Sequence, residues 1–332
     1  MKALPVTVVC GGRSGEAAVS RVSAGAVARA LEQAGHRVET LELDAELASR
    51  LLASRPEVVF PVAHGRLGED GSVQGLLELL ELPYVGSGVL ASALAFDKPL
   101  CKQLWRQCGI PVARDLVIRA DQPGLYAAAR ARTLLGPAIA VKPGAGGSAL
   151  GVSLISSNQT DRDLADAIGR ALALDPQVLL EPLLEGQEVT CAVLEDETGC
   201  PRALAPTLIL PQRGAFYDFV SKYAAGGSRH LCPAPLPEPL LDRIKEVAVR
   251  AHQALGCRDL SRVDCFVDER RAPEDAVTVL EINTMPGMTS TSLFPEAAAA
   301  SGMEFAKLCD HLVGLAHRRP GAPRPEAEPM PD

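Results

Sequence analysis

Glu281 and Asn283 stand two residues apart at the end of an apolar run, 277–280, and a Pro286-Gly287 turn follows them. Side chains two apart on a strand point to the same face, so this run would deliver a carboxylate and a carboxamide oxygen side by side. Hard cations such as Mg²⁺ are held in that way, by one or two protein oxygens with the remaining positions left for phosphate. Upstream, Arg262-Val263-Asp264 begins another apolar run, so a third oxygen donor and a guanidinium can converge on the same place. That set suits phosphate chemistry. The pair alone is weak, since E-x-N recurs by chance roughly once per 400 positions. A solvated Glu beside a turn-forming Asn is its plainer reading.

The elements that must position these residues belong to a large folded chain. With 332 residues, 47% of them hydrophobic and 22% charged, the sequence suits two or three domains with ample core. A net charge of −8, 4% aromatic residues and no useful Lys/Arg cluster argue against a nucleic-acid partner. None of the nine cysteines sits in a C-x-x-C pair, which argues against a zinc or disulfide framework and fits reduced, cytoplasmic thiols. No membrane helix is expected, because no run of 18 apolar residues occurs. The first ten residues only faintly mimic a signal peptide, which Pro5 interrupts.

Residues 6–10 read as a buried strand, the turn 11–15 feeds an Ala/Val-rich helix over 16–34, and strands over 37–43 and 58–62 follow with a short helix between them. This alternation predicts a parallel sheet with helices on both faces. Ligands of such sheets approach the carboxyl ends of the strands, where Gly11-Gly12 and His64-Gly65 fall. A helix over 87–108 precedes a change of pattern at Gly109-Ile110-Pro111. Strands over 112–118, 138–142 and 152–155 then alternate with helices over 124–135 and 161–174, a small α+β unit spanning about 97–180. Beyond it come strands over 178–183, 188–194 and 203–210, a polar loop over 211–235 long enough to be a lid, a helix over 237–255 and the two site-bearing strands. The Pro/Glu/Arg-rich tail, 318–332, predicts disorder.

Lys142 ends a predicted strand just before Gly144-Ala145-Gly146-Gly147-Ser148. Glycines let backbone N–H groups approach phosphate oxygens closely, and a lysine adds a point charge. Gly144-x-Gly146-x-x-Ala149 also fits a dinucleotide fingerprint, with Asp163 near the expected acidic position, so an NAD-dependent oxidoreductase stands as an alternative. That fingerprint must open a helix, whereas 150–155 is β-like. His64 in its glycine-spaced loop, and Lys222 and Tyr223 in the polar loop, complete the polar candidates.

In chain order, the strings GGRSGE, HGRLGEDGSVQG, GSGVLASALAFDK, VKPGAGGSALG, EPLLEGQEVT, YDFVSKY, SRVD and EINTMPGMTSTSL together resemble the D-alanine:D-alanine ligases of the ATP-grasp superfamily, over residues 6–311. The resemblance implies an α/β, ATP-grasp architecture of three α/β domains. These are an N-terminal parallel-sheet domain over 1–96 that binds the first substrate, a central small ATP-grasp domain over 97–180, and a C-terminal ATP-grasp domain over 181–317 that carries the metal site and the lid loop 211–235. The reaction implied is ADP-forming ligation of two D-alanines through an acyl phosphate, for peptidoglycan synthesis. Relatives with D-lactate or D-serine as acceptor are the alternative within the superfamily. A cytoplasmic homodimer is implied as well.

The resemblance also implies roles. Lys98 and Lys142 match lysines on the ATP phosphates, and Lys222 matches the loop lysine at the terminal phosphate. Glu181, Leu183 and Leu184 lie in the adenine hinge, and Glu188 matches the ribose-binding acid. Asp264, Glu281 and Asn283 match the ligands of two Mg²⁺ ions, for which Mn²⁺ can substitute, and Arg262 the arginine on the transferred phosphoryl group. Glu16 corresponds to the acid that binds the first D-alanine's ammonium, with His64 close by. Ser292 and Leu293 match the second D-alanine's pocket, and the Gly287 N–H with Arg262 the oxyanion site. Ser148 and Tyr223 match the partners that tie the loops to Glu16. Two departures touch nucleotide affinity: Ala149 replaces a usual serine, and Pro182 replaces a common lysine in the hinge.

Overall fold

Alternation with a period of two builds the first sheet. In the computed structural model, which describes residues 3–122, 124–147, 149–211, 227–289 and 291–319, β1 (Pro5–Cys10) turns Val6, Val8 and Cys10 to one core and Val9 to another. It lies between β2 (Arg37–Glu42) and β3 (Val58–Pro61), all parallel, in the order β2-β1-β3. Helices Ala17–Gln33 and Phe305–Arg318 cover the first face, and helices Leu47–Ser54 and Ser72–Leu79 cover the second. The sheet thus has helices on both faces, as its alternating pattern predicts.

The second sheet is antiparallel, in the order β4-β7-β5-β6, from β4 (Leu116–Arg119), β5 (Ile139–Pro143), β6 (Ser153–Ile155) and β7 (Gln177–Pro182). Helices Gly124–Leu135 and Asp161–Leu172 close its core. The latter starts at a capping box, in which Thr160 Oγ1 accepts from Asp163 N–H at 3.3 Å and the Asp163 carboxylate accepts from Thr160 N–H at 2.7 Å. Because β6 follows the glycine loop directly, that loop opens a strand and not a helix, and the dinucleotide fingerprint is refused.

The third sheet runs β11-β10-β8-β12-β13 with β9 beside β8, formed by β8 (Gln187–Glu195), β9 (Pro201–Ala203), β10 (Thr207–Pro211), β11 (Ser228–Leu231), β12 (Leu260–Val267) and β13 (Val277–Asn283). Helix Glu238–Leu255 packs on it. Between β12 and β13 the register slips by one residue: Asp264 faces Glu281 but Cys265 faces Val279, so Leu280 is an extra, bulged residue.

Four expected elements differ, the first being the strand over 112–118, which is confined to β4 while Val112 bridges to Val279 of the third sheet. The single helix over 87–108 is two, Val89–Phe96 and Lys98–Gln107, because Asp97 leaves helical geometry and caps the second helix through Leu100 N–H at 3.0 Å, with Pro99 behind it. The second of these helices buries Cys101 and Trp105 in the core beneath the third sheet. The strand expected over 203–210 is split into β9 and β10. The loop expected over 211–235 contains β11, an edge strand paired with β10; its residues 212–226, like the tail from 320, lie outside the described residues.

Candidate active site

The site lies where the second and third sheets face each other. One cleft, with about 910 Å³ of atom-free space, has apolar walls from Ala140 of β5, Leu154 of β6, Phe266 of β12 and Leu280 of the bulge. Leu183, Leu184, Glu181 and Glu188 line it too, as do Lys98, Lys142 and Glu281. An apolar cleft between two sheets that also carries lysines suits a nucleotide whose base lies against hydrocarbon and whose phosphates meet lysine.

Glu181 is buried, at 2% exposure, and reaches two cations: Lys142 Nζ lies 2.6 Å from Oε2, and Lys102 Nζ hydrogen-bonds Oε1. Burial alone would raise the Glu181 pKa, but Lys142 and Lys102 outweigh it and hold the carboxyl below its ordinary range. For Lys142, burial works against the ammonium, and Glu181, with Glu281 and Glu188, outweighs it. Pro182 costs the sheet nothing. Leu183 N–H donates to Ala138 O at 2.9 Å, and neighbouring residues alternate sides, so the nitrogen of Pro182 faces away from β5. Ala149 adopts a left-handed φ of 55°.

The phosphate end is assembled on β12 and β13. Asp264, 5% exposed, accepts from Arg262 Nε and Nη2, both at 2.9 Å, from Thr190 Oγ1 at 2.5 Å and from Asn283 Nδ2 at 3.3 Å. Glu281 lies across the ladder from Asp264 and 3.4 Å from Lys98 Nζ. Lys98 in turn donates to Gly146 O at 2.5 Å, and its N–H donates to Gly144 O at 2.9 Å, which fastens the glycine loop to this helix. Among the described residues no group of three His, Cys, Asp or Glu side chains could hold a metal ion by itself. Two carboxylates and one amide oxygen do fit a hard divalent cation whose other positions are filled by phosphate.

A second cavity is lined by Arg262 and Asn283 together with Glu16, His64, Glu69, Gly287, Ser292 and Leu293. A smaller one, lined by Lys98, Gly146, Gly147, Glu281, Asn283 and Glu69, shares residues with both. Glu16 is 6% exposed, and glycines flank its carboxylate: a Cβ added at Gly65 or at Gly147 would stand 3.2 Å from Oε2. Its turn is tied to the His64 loop, since Ser14 Oγ donates to His64 O at 2.7 Å and accepts from Glu16 N–H at 3.3 Å. At the far wall a Cβ on Gly287 would fall 2.9 Å from Ser292 Oγ, which accepts from Thr289 N–H at 3.1 Å.

The structure therefore brings together the candidates of the hinge, the phosphate end and the substrate cavity. Ser148, Lys222 and Tyr223 lie outside the described residues. Sequence reasoning missed Lys102, Thr190, Glu69 and His230, each of which holds or lines part of the site. Two of these carried a signal: Lys102, one helical turn after Lys98 and on the same face, and Glu69, in the polar loop that follows a strand and holds His64.

His64, 6% exposed, has Nδ1 3.8 Å from Glu69 Oε1. Burial works against its imidazolium, but Glu69 and Glu16 outweigh both burial and the Arg262 charge, so its pKa is raised above 6.5. A raised folded pKa stabilises the fold fully below the unfolded value, and that contribution fades as pH climbs through the folded one. His64→Gln should therefore lower the urea midpoint more at about pH 5.5 than at about pH 8.5. An equal loss at both values would show that the ring's charge is not coupled to the fold.

Solved enzymes share this architecture. The D-alanine–D-alanine ligase of Bacillus anthracis superposes with a TM-score of 0.81 at 28% identity, covering 95% of this chain and 98% of that one. A structure of that enzyme complexed with ATP gives 0.77 at 26% identity, covering 95% and 97%. The fold is ATP-grasp. A family model described as D-ala D-ala ligase C-terminus matches residues 104–314, and one described as its N-terminus matches 45–87. The D-alanine–D-alanine ligase of Gluconobacter oxydans (strain 621H) is 42% identical over 314 residues, 93% of this chain and 98% of that protein. That of Synechococcus sp. (strain JA-3-3Ab) is 41% identical over 334 residues, covering 98% and 99%. The chain belongs to the D-alanine–D-alanine ligase family.

Proposed function

We propose that this chain joins two D-alanines in an ATP-dependent, ADP-forming ligation that supplies the dipeptide for peptidoglycan. The observation that carries this reading is a pair of cavities that share Gly147 and are bridged by a smaller one lined by Glu281 and Asn283: an apolar cleft bearing Lys98 and Lys142 on one side, and on the other a pocket holding Arg262 and the buried Glu16. A carboxylate is a poor acylating agent. One oxygen of the first D-alanine's carboxylate attacks the γ-phosphorus of ATP, ADP leaves, and an acyl phosphate forms. The second D-alanine's neutral amine then attacks the carbonyl carbon, the bond to the phosphate oxygen breaks, and the nitrogen gives up a proton.

Each residue has a part in this scheme. Glu16 receives the first ammonium, and His64, held by Glu69, adds order to that wall. Lys98 and Lys142 meet the phosphates, Glu181, Leu183 and Leu184 the adenine, and Glu188 the ribose. Arg262 and the Gly287 N–H take up the charge that develops on the transferred group and the carbonyl oxygen, Arg262 being pre-aligned by Asp264. Ser292 and Leu293 hold the acceptor. Asp264, Glu281 and Asn283 would hold Mg²⁺ or Mn²⁺, which when bound neutralises phosphoryl charge. Ser148, Lys222 and Tyr223 keep the loop roles that the family resemblance implies.

We further read a three-domain division close to 1–96, 97–180 and 181–317, supported by the three sheets. All nine cysteines are free thiols, which supports a cytoplasmic location, and family resemblance supports a homodimer. Among the described residues no helix is long and apolar enough to cross a membrane.

The test offers MgATP with D-alanine, D-serine or D-lactate in turn, follows ADP release and identifies products by mass. D-alanine should give ADP and D-alanyl-D-alanine. ADP release that does not depend on D-alanine, or reduction of NAD in its place, would sink the reading.

A further inference from the structure

His230 and Glu296 join two walls of the substrate cavity, and none of the roles above uses them. His230 stands on the edge strand β11, opposite Ile209 of β10, and lines the cavity with Ser292 and Leu293. Its Nδ1 lies 3.0 Å from Glu296 Oε2, and its Nε2 lies 2.9 Å from Ser228 Oγ. Glu296 sits in the first turn of helix Leu293–Ala300 and donates its N–H to Ser292 O at 3.0 Å, so it is one rigid turn from the residue that starts the helix. Beneath this polar contact, Ile209 and Leu293 pack together, 2% and 5% exposed. The pair is itself mostly withdrawn from water, with side chains 18% and 33% exposed, so its hydrogen bond is screened less than a surface one.

We propose that the His230–Glu296 pair is a positioning element for the acceptor amino acid. This rests on the ligase reading above and assigns the pair one part of it. The pair fixes the start of helix Leu293–Ala300 against β11, and thereby the gap between Ser292, Leu293 and the reacting carbonyl. The first amino acid and the nucleotide are gripped from other elements, by Glu16 after β1 and by the hinge after β7. Loosening the pair should therefore weaken the acceptor alone. A short hydrogen-bonded tie to one pocket wall is the kind of contact whose loss displaces a substrate without unfolding its site.

Steady-state kinetics on the full chain, resolving the KM values of ATP, first D-alanine and second D-alanine, test this for His230→Ala, His230→Asn and Glu296→Gln. His230→Ala should raise the second D-alanine's KM about tenfold, the scale of one hydrogen bond to a charged group. The other two KM values should stay within about twofold, which also reports an intact fold. His230→Asn places an N–H donor where Nδ1 stood and should recover most of the loss. Unchanged acceptor KM in both His230→Ala and Glu296→Gln, or a parallel rise in all three constants, would overturn the proposal. A wild-type chain that forms no dipeptide would overturn the ligase reading and this one together. Dipeptide formation by wild type with unmoved variants would overturn this one alone.

Discussion

Glu281→Gln is expected to lower turnover at least ~10²-fold, the scale of removing one pre-aligned electrostatic group from a reacting site. Glutamine keeps the shape and one oxygen but removes the negative charge that faces Lys98 at 3.4 Å and stands across the ladder from Asp264. The loss should appear in kcat and persist at saturating Mg²⁺, since the substitution weakens charge balance during phosphoryl transfer and not only cation affinity. Turnover close to wild type under those conditions would remove Glu281 from the catalytic machinery. It would leave the neighbouring arginine–aspartate pair as the centre of the site.

The second large effect concerns stability. Glu181→Leu is expected to cost about 3 kcal/mol or more, because it strands Lys102, 1% exposed, inside the protein with only Asp115 at 3.7 Å. The companion Lys102→Met, added to Glu181→Leu, should return most of that loss, since removing both buried charges spares their desolvation. ATP binding should not return with it, because Lys142 still lacks its anchor. The urea midpoint and the KM for ATP separate the two effects. Equal midpoints for the single and double variants would mean that Lys102 finds another partner. Glu181's lowered pKa means the ion pair contributes above the ordinary value of 4.5 and fades as pH falls through the folded one, so the gap between wild type and Glu181→Leu should shrink on acidification.

Much of this was legible because local pattern and tertiary environment agree. The first sheet is readable since Val6 to Cys10 alternate between two apolar layers, and the site strands since Glu281 and Asn283 interrupt a buried run. Other parts were legible in principle but hidden by a stronger signal. Asp97 followed by Pro99 is a helix start, yet it stands inside a continuous apolar pattern that reads as one helix. The polar sequence Ser228-Arg229-His230-Leu231 has no strand alternation of its own. It becomes β11 only because β10 offers an edge for it to pair with. Thr190 could not be picked out at all, because its role as a donor to Asp264 exists only once β8 and β12 are side by side. The glycine loop shows the reverse, in that one string fitted two chemistries until the element after it proved to be a strand.

The extra residue at Leu280 lets a single strand face two surroundings. Before it, Val277 and Val279 turn inward; after it, the odd-numbered Glu281 and Asn283 turn outward and Ile282 takes the inward place. If Leu280 took its place as an ordinary ladder residue, strict alternation would set the carboxylate and the amide against the hydrocarbon interior; as a bulge it is passed over, and both face the cleft. One strand can therefore serve hydrocarbon as far as Val279 and a cation-holding edge from Glu281 onward, with no polar side chain entering the core.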